Sequence, residues 1–192
     1  AVSMSRGGGE FSPCEDVWIL REGLGFKRID FTSYPQLEPR LMGSLKMVLL
    51  WYANNRSASH VYNLHYRLIG LLAFAAMNRD GPISEISHVD LLNYRAHIGG
   101  DRQWYIGTIA GMFRRWSDMG LHGIEPAAIA LIDELRLKGN RKGAAVLTMD
   151  PLAGPLTNLE LESLQSSLNA AISRGGVSLS DFVLCWLVMV LG

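Results

Sequence analysis

Apolar residues recur at intervals of three and four positions from Arg40 onward, and this spacing restricts the fold more than any other feature of the chain. The pattern is clear at Leu41, Leu45 and Val48, and it returns between Val61 and Ala75. Side chains at these intervals share one face of an α-helix. Residues 1–38 lack this spacing, and we interpret them as an irregular extension with one short extended piece, RIDFT. The pattern predicts an all-α fold.

Capping and turn residues divide the region into successive helices. Ser57 or Ser59 suits the N-cap of a second helix, and Ser87 with Asp90 suits the start of a third. A fourth helix covers DRQWYIGTIAGMFRRWSDMG and ends at a glycine. Pro126 suits the first turn of a further helix that runs toward Gly139. We therefore expect a bundle of four helices with a helical extension.

The C-terminal part begins with a linker and ends in an apolar run. The stretch NRKGAAVLTMDPLAGP has no helical period, whereas Thr157 and Glu160 match a capping box that starts a new helix. The run from Phe182 to Leu191 would span about 15 Å as a helix. A bilayer core of about 30 Å needs roughly 20 such residues, so we predict a core helix and no membrane partner.

Composition narrows the classes of function. The 192 residues carry no net charge, so a polyanionic partner would have to be held by local basic clusters. Cys14 and Cys185 have no metal-binding spacing, and the five histidines form no HExxH motif. We expect no metal, no cofactor and no catalytic constellation within this chain. A reducing, cytoplasmic environment agrees with this use of cysteine.

Polar and basic side chains share the faces left over once the apolar stripes are assigned. On the second and fourth helices they follow helical spacing, and a basic stretch, RLKGNRKG, follows the last helix of the bundle. The candidate DNA-binding residues are His60, Asn63, Arg67, Trp104, Thr108, Arg114, Arg115, Lys138, Arg141 and Lys142. Under the alternative interpretation, these polar faces and the basic stretch are simply exposed to solvent and bind no ligand. Gly107 and Gly111 would then allow two helices to pack tightly.

The order of these pieces resembles the tyrosine recombinase (phage integrase) family. SASHVYNLHYRLIGLLAF and WYIGTIAGMFRRWSDMGL are similar to the second and fourth helices of its core-binding domain, a SAM-like four-helix bundle that lies against DNA. GPLTNLELESL is similar to the opening of the family's catalytic domain. SDFVLCWLVMVLG looks like the apolar helix that precedes the first catalytic arginine.

The resemblance implies a domain organisation and an activity. Residues 1–38 would be the extension, 39–122 the core-binding domain, 123–156 a helix and basic linker, and 157–192 the start of a truncated catalytic domain. The full-length enzyme would cut and rejoin double-stranded DNA through a 3′-phosphotyrosyl intermediate, as a homo-multimer associated with the nucleoid. Its catalytic residues would lie beyond Gly192, so this chain is expected to bind DNA without catalysis.

A second class of function stays open. The apolar C-terminal helix could instead dock on a protein partner, which would make the chain a helical protein–protein interaction module. Binding driven by phosphate contacts weakens steeply between about 50 and 200 mM salt, whereas apolar docking hardly responds to salt.

Overall fold

The computed structural model describes residues 2–135, 144–148, 150 and 154–191, and the chain forms two compact units, residues 1–140 and residues 141–192. The helices of the first unit are α1 (Pro39–Asn55), α2 (Ala58–Met77), α3 (His88–Ile98), α4 (Trp104–Asp118) and α5 (Pro126–Glu134). The helices of the second unit are α6 (Ala144–Leu147), α7 (Asn158–Ser173) and α8 (Leu179–Leu191).

The helix starts expected from the sequence are confirmed. Ser57 is the N-cap of α2, and its hydroxyl accepts a hydrogen bond from the backbone N–H of His60 at 3.2 Å. Ser87 and Asp90 form a reciprocal capping box at the start of α3. Pro126 occupies the first turn of α5, which ends at Glu134 rather than near Gly139.

The expectation of an all-α fold is wrong, because the first 38 residues contain two small antiparallel sheets. Strands β1 (Ser3–Met4) and β2 (Glu10–Phe11) form one pair, and β3 (Val17–Glu22) and β4 (Gly25–Asp30) form a six-residue hairpin. The fold of the described residues is therefore mixed, with a predominance of helix. Of RIDFT, the one extended piece expected from the sequence, the first three residues form the second half of β4 and the last two begin a short 3-10 turn.

Strand alternation and a glycine turn explain the hairpin. In β3, Trp18 and Leu20 are fully buried, whereas Ile19 between them is 38% exposed, as a strand with one buried face requires. A two-residue turn, Gly23–Leu24, joins the strands, and Gly23 has a φ of 58°, a conformation that glycine adopts without strain. Burial alternates along β3, but its first four residues, Val17–Leu20, are all apolar, so the sequence itself shows no alternation of polar and apolar residues there.

The hairpin and the helices share a hydrophobic core. Trp18 lies between Phe11 and Phe31, with ring centroids at 5.1 and 4.7 Å, and β4 packs against α2. Ala128 and Ile132 of α5 are buried against α3 and α4. The extension of residues 1–38 and the helix after residue 123 thus belong to the same compact unit as the four central helices.

The second unit has little core of its own. Thr157 and Glu160 form the predicted capping box of α7, yet no described residue of α7 or α8 is buried. On α8, Leu184 and Val188 are 61% and 62% exposed. In the described ranges, no helix combines the length and the apolar character that crossing a bilayer would require.

Candidate nucleic-acid interface

The candidate residues of α2 and α4 lie on neighbouring, antiparallel helices. Arg67, in the middle of α2, lies 4.6 Å from the ring of Trp104 at the start of α4. His60, near the start of α2, stacks on Tyr52, and Arg115, near the end of α4, lies over Trp51, whose ring contacts that of Tyr52. The two helices therefore run in opposite directions. We call His60, Asn63, Arg67, Trp104, Thr108 and Arg115 the α2–α4 surface.

Aromatic rings hold Arg67 at one end of this surface. Its guanidinium carbon lies 3.8 Å from the ring centroid of Tyr105 and 5.4 Å from that of Tyr66. Such contacts stabilise a cation by about 0.5–2 kcal/mol while leaving the edge of the guanidinium free to donate hydrogen bonds. The Nε atom is buried and has no hydrogen-bond partner among the described residues. Arg67 is thus fixed in place by rings rather than by a carboxylate.

The other end of the surface combines basic and aromatic side chains from three helices. The guanidinium of Arg115 lies 4.3 Å from the ring centroid of Trp51, whose ring meets Tyr52 edge-on at 5.0 Å. His60 stacks on Tyr52 with centroids 5.6 Å apart. Burial, and then the nearby charge of Arg56, lowers the pKa of His60. The lowered pKa favours the neutral form of His60, so Arg115 and Arg56 supply the positive charge at this end, with Arg115 held against the ring of Trp51.

The centre of the surface is polar and open. Asn63 is exposed, and Thr108 is half-buried with its hydroxyl donating to the carbonyl of Trp104 at 3.0 Å. Gly111 is exposed, and a Cβ added there would meet no atom within 4 Å. Tight packing between helices therefore does not explain Gly111, although a glycine inside a helix costs about 1 kcal/mol relative to alanine. The open backbone leaves room for an external group to approach α4.

The positive charges of this surface are not neutralised by the protein. Arg56, Arg67 and Arg115 form no ion pair with any carboxylate in the part of the chain that the structure describes. Asp118, one turn after Arg115, is exposed and is the nearest acid along the same helix face. Unpaired guanidinium groups beside exposed rings are suited to phosphates and to the faces of bases.

Arg114 behaves differently from its neighbour. Its Nε atom donates to Asp133 of α5 at 2.7 Å, and its terminal nitrogen donates to the carbonyl of Ile132 at 3.5 Å. This candidate is engaged by the protein's own acid and lies away from the α2–α4 surface. Lys138, Arg141 and Lys142, predicted on the basic linker, lie outside the described residues.

Several residues that border the α2–α4 surface were not among the DNA-binding residues predicted from the sequence. They are Trp51, Tyr52, Arg56, Tyr66 and Tyr105. Tyr62 and Tyr66, four residues apart, are 38% and 57% exposed on the outer face of α2, and Lys27 of β4 lies 5.5 Å from the ring of Tyr62. Exposed aromatic residues at helical spacing on a polar face were the signal that could have identified this region.

Comparison of the chain with protein-family models, with curated proteins and with solved structures finds no match. Across the residues that the structure describes, no group of three or more His, Cys, Asp or Glu side chains is arranged to hold a metal ion.

Proposed function

We propose that this chain is a DNA-binding part of a site-specific recombinase of the tyrosine recombinase type, which binds duplex DNA through its α2–α4 surface. The whole enzyme would cut and rejoin DNA through a 3′-phosphotyrosyl intermediate as a multimer on DNA, with its catalytic residues outside this chain. Neither metal nor nucleotide cofactor enters the proposal.

One observation carries the proposal: Arg67 and Arg115 lie on the same surface, each held by aromatic rings and neither paired with an acid. A surface cation normally gains little from a carboxylate partner, so the absence of one alone would mean little. Here, however, the rings restrict both guanidinium groups before any ligand arrives. A preorganised guanidinium loses less side-chain entropy when it binds a phosphate, and this favours binding.

The contacts between this surface and DNA would mostly position the protein on the duplex rather than recognise the base sequence. Arginine side chains that meet phosphate oxygens fix the register of a protein on the duplex, while base edges supply specificity. Asn63 and Thr108, at the open centre of the surface, have the hydrogen-bonding groups that could reach a base edge. We expect weak binding by this chain alone, because its net charge is zero.

The test is a salt titration of binding to a short fluorescent duplex, followed by anisotropy. The wild-type chain should lose affinity steeply between about 50 and 200 mM NaCl, because binding to phosphates releases condensed cations. Arg115→Gln should lower the affinity and reduce the slope of log K against log salt by about 1, which corresponds to one phosphate contact.

Arg114→Gln is the matched control. It removes the same charge from the adjacent position, but that guanidinium is engaged by Asp133 at 2.7 Å. We expect a salt slope close to that of the wild type. Equal losses in the two variants would attribute binding to general charge and contradict the α2–α4 surface, and binding that ignores salt would contradict the DNA proposal itself.

The exposed apolar side chains of α8 favour a second candidate function, which is docking on another protein. Leu184, Leu187 and Val188 are at least half exposed on one short helix, as expected of a docking surface for another protein. Binding of this kind would be insensitive to salt and would be lost on Leu187→Asp, whereas binding of duplex DNA through α2 and α4 would survive that substitution.

A further inference from the structure

A small aromatic cavity opens beside Arg67, between α2, α3 and α4. Its volume is about 220 Å³. The residues that line it are Tyr66, Arg67, Ile69, Gly70, Tyr94 and Tyr105. Pockets for drug-sized ligands usually measure about 300–1,000 Å³, so this cavity suits a smaller group such as one planar ring system.

Gly70 and Tyr94 shape the inner end of the cavity. A Cβ added at Gly70 would lie 2.9 Å from the hydroxyl oxygen of Tyr94, so any larger residue at this position would displace the tyrosine. Tyr94 is buried, at 5% exposure, and burial raises the pKa of its hydroxyl. No described residue forms a hydrogen bond with this hydroxyl, which leaves a neutral donor directed to the end of the cavity.

Arg67 supplies the positive charge in the lining of the cavity. Arg67 lies against the ring of Tyr105 at 3.8 Å, and Tyr66, which also lines the cavity, is 57% exposed. The cavity is therefore lined by aromatic rings, by one hydroxyl donor at its buried end and by one guanidinium group. A nucleotide has the complementary features: a planar base, acceptor atoms on its edge and a phosphate at a fixed distance.

We propose that this cavity binds a single nucleobase that has left the helical stack, with the adjoining phosphate on Arg67. The inference rests on the proposed binding of DNA by the α2–α4 surface and adds the form of DNA that it prefers. A base outside the stack exchanges contact with its neighbours for contact with tyrosine rings, and an unpaired base leaves at the lowest cost. The chain should therefore prefer DNA that contains an unpaired nucleotide.

The experiment compares three duplexes of the same sequence in anisotropy titrations. One is fully paired, one carries a single bulged adenine, and one carries an abasic bulge with the same number of phosphates. The wild-type chain should bind the adenine bulge roughly tenfold more tightly than the abasic bulge, as stacking of one base on aromatic side chains predicts.

Gly70→Ala should abolish this preference, because its methyl group and the displaced Tyr94 hydroxyl occupy the inner end of the cavity. Binding of the paired and abasic duplexes should not change. Gly43→Ala is the matched control, since it makes the same replacement within helix α1, where the added Cβ meets open space away from the proposed binding surface. If Gly70→Ala does not fold, Tyr94→Phe replaces it and should reduce the preference by removing only the hydroxyl.

The outcomes separate this inference from the proposed function. Equal affinity for the adenine and abasic bulges, together with salt-dependent binding of the paired duplex, would overturn the base site and leave DNA binding intact. A preference that survives both Gly70→Ala and Tyr94→Phe would also overturn it. Failure to bind any of the three duplexes at low salt would overturn the proposed function and this inference together.

Discussion

His65 joins the N-terminal hairpin to α2 through hydrogen bonds that depend on a neutral ring. The side chain is buried, at 5% exposure, and Nε2 accepts a long hydrogen bond from the backbone N–H of Asp30 at 3.5 Å. Nδ1 then carries the proton and donates to the hydroxyl of Tyr34 at 3.0 Å. Burial lowers the pKa of His65 to about 4, although the charge of Asp30 acts in the opposite direction.

The lowered pKa predicts a loss of stability in weak acid. The unfolded chain binds a proton at this histidine below pH about 6.5, whereas the folded chain resists protonation until pH about 4. The free energy of unfolding should therefore be highest above pH 6.5 and should fall by about 2 kcal/mol between pH 7.5 and pH 5 from this group alone. Urea denaturation at the two pH values measures the difference.

The exposed His122 provides the control for this prediction. His65→Gln should lower stability at pH 7.5 and flatten the dependence on pH, while His122→Gln should leave that dependence as in the wild type. An unchanged slope in His65→Gln would show that other groups cause the acid sensitivity.

At the scale of elements, the β3–β4 hairpin is part of the core rather than an appendage. Trp18, Leu20 and Ile29 are fully buried, and Trp18 also donates from its indole nitrogen to the carbonyl of Glu15 at 3.2 Å. Strand alternation directs the neighbouring Ile19 outward. The stability of α1 and α2 should therefore depend on residues far from them in sequence.

Two adjacent substitutions in β3 test this dependence. Trp18→Ala should lower the free energy of unfolding by about 3–5 kcal/mol, because it removes a large buried side chain and leaves a cavity. Ile19→Ala, at a position 38% exposed, should cost less than about 1 kcal/mol. Thermal unfolding followed by the helical circular dichroism signal measures both, and similar losses in the two variants would contradict the one-sided burial of the hairpin.

At the scale of the whole molecule, the two units differ in what supports their helices. The helices of residues 1–140 bury apolar stripes in a common core, whereas α7 and α8 have no buried residue. Most helical stability in proteins comes from the packing of an apolar face against other elements. The same chain should therefore contain helices of very different local stability.

Amide hydrogen exchange should reveal this difference. Amides in the centres of α2 and α4 should exchange only with global unfolding, whereas those of α7 and α8 should exchange through local opening that costs much less free energy. Measurements at several protein concentrations provide the control, because association through the apolar face of α8 would slow its exchange as concentration rises. Protection of α8 equal to that of α2 at the lowest concentration would contradict this view.

Local sequence patterns predicted the individual helices of the bundle better than they predicted the fold class of the chain. Helical spacing and the capping residues Ser57, Ser87 and Thr157 identified the starts of helices that the structure contains. These signals come from interactions within four residues, and packing elsewhere rarely cancels them when several agree. The short strands before Pro39 were missed, because each has six residues at most and neither β3 nor β4 alternates polar and apolar residues in sequence.

Arg114 and Arg115 show why the candidate surface could be predicted only in part. The two residues are adjacent and chemically identical, but helical geometry turns them about 100° apart. One meets Asp133, nineteen residues away, and the other meets Trp51, sixty-four residues away. Spacing along α4 grouped both with the DNA-binding residues, and only the positions of α1 and α5 separate them.

The amino-acid sequence by itself determined where the helices of the bundle begin and which of their faces are apolar, because neighbouring side chains and caps act over one or two turns. The tertiary structure alone decided that Arg67 of α2 lies against Trp104 and Tyr105 of α4, and that Tyr94 of α3 closes a cavity at Gly70 of α2. Those contacts join residues from separate helices. Their distances depend on how all the buried faces pack at once, which no local pattern in the sequence specifies.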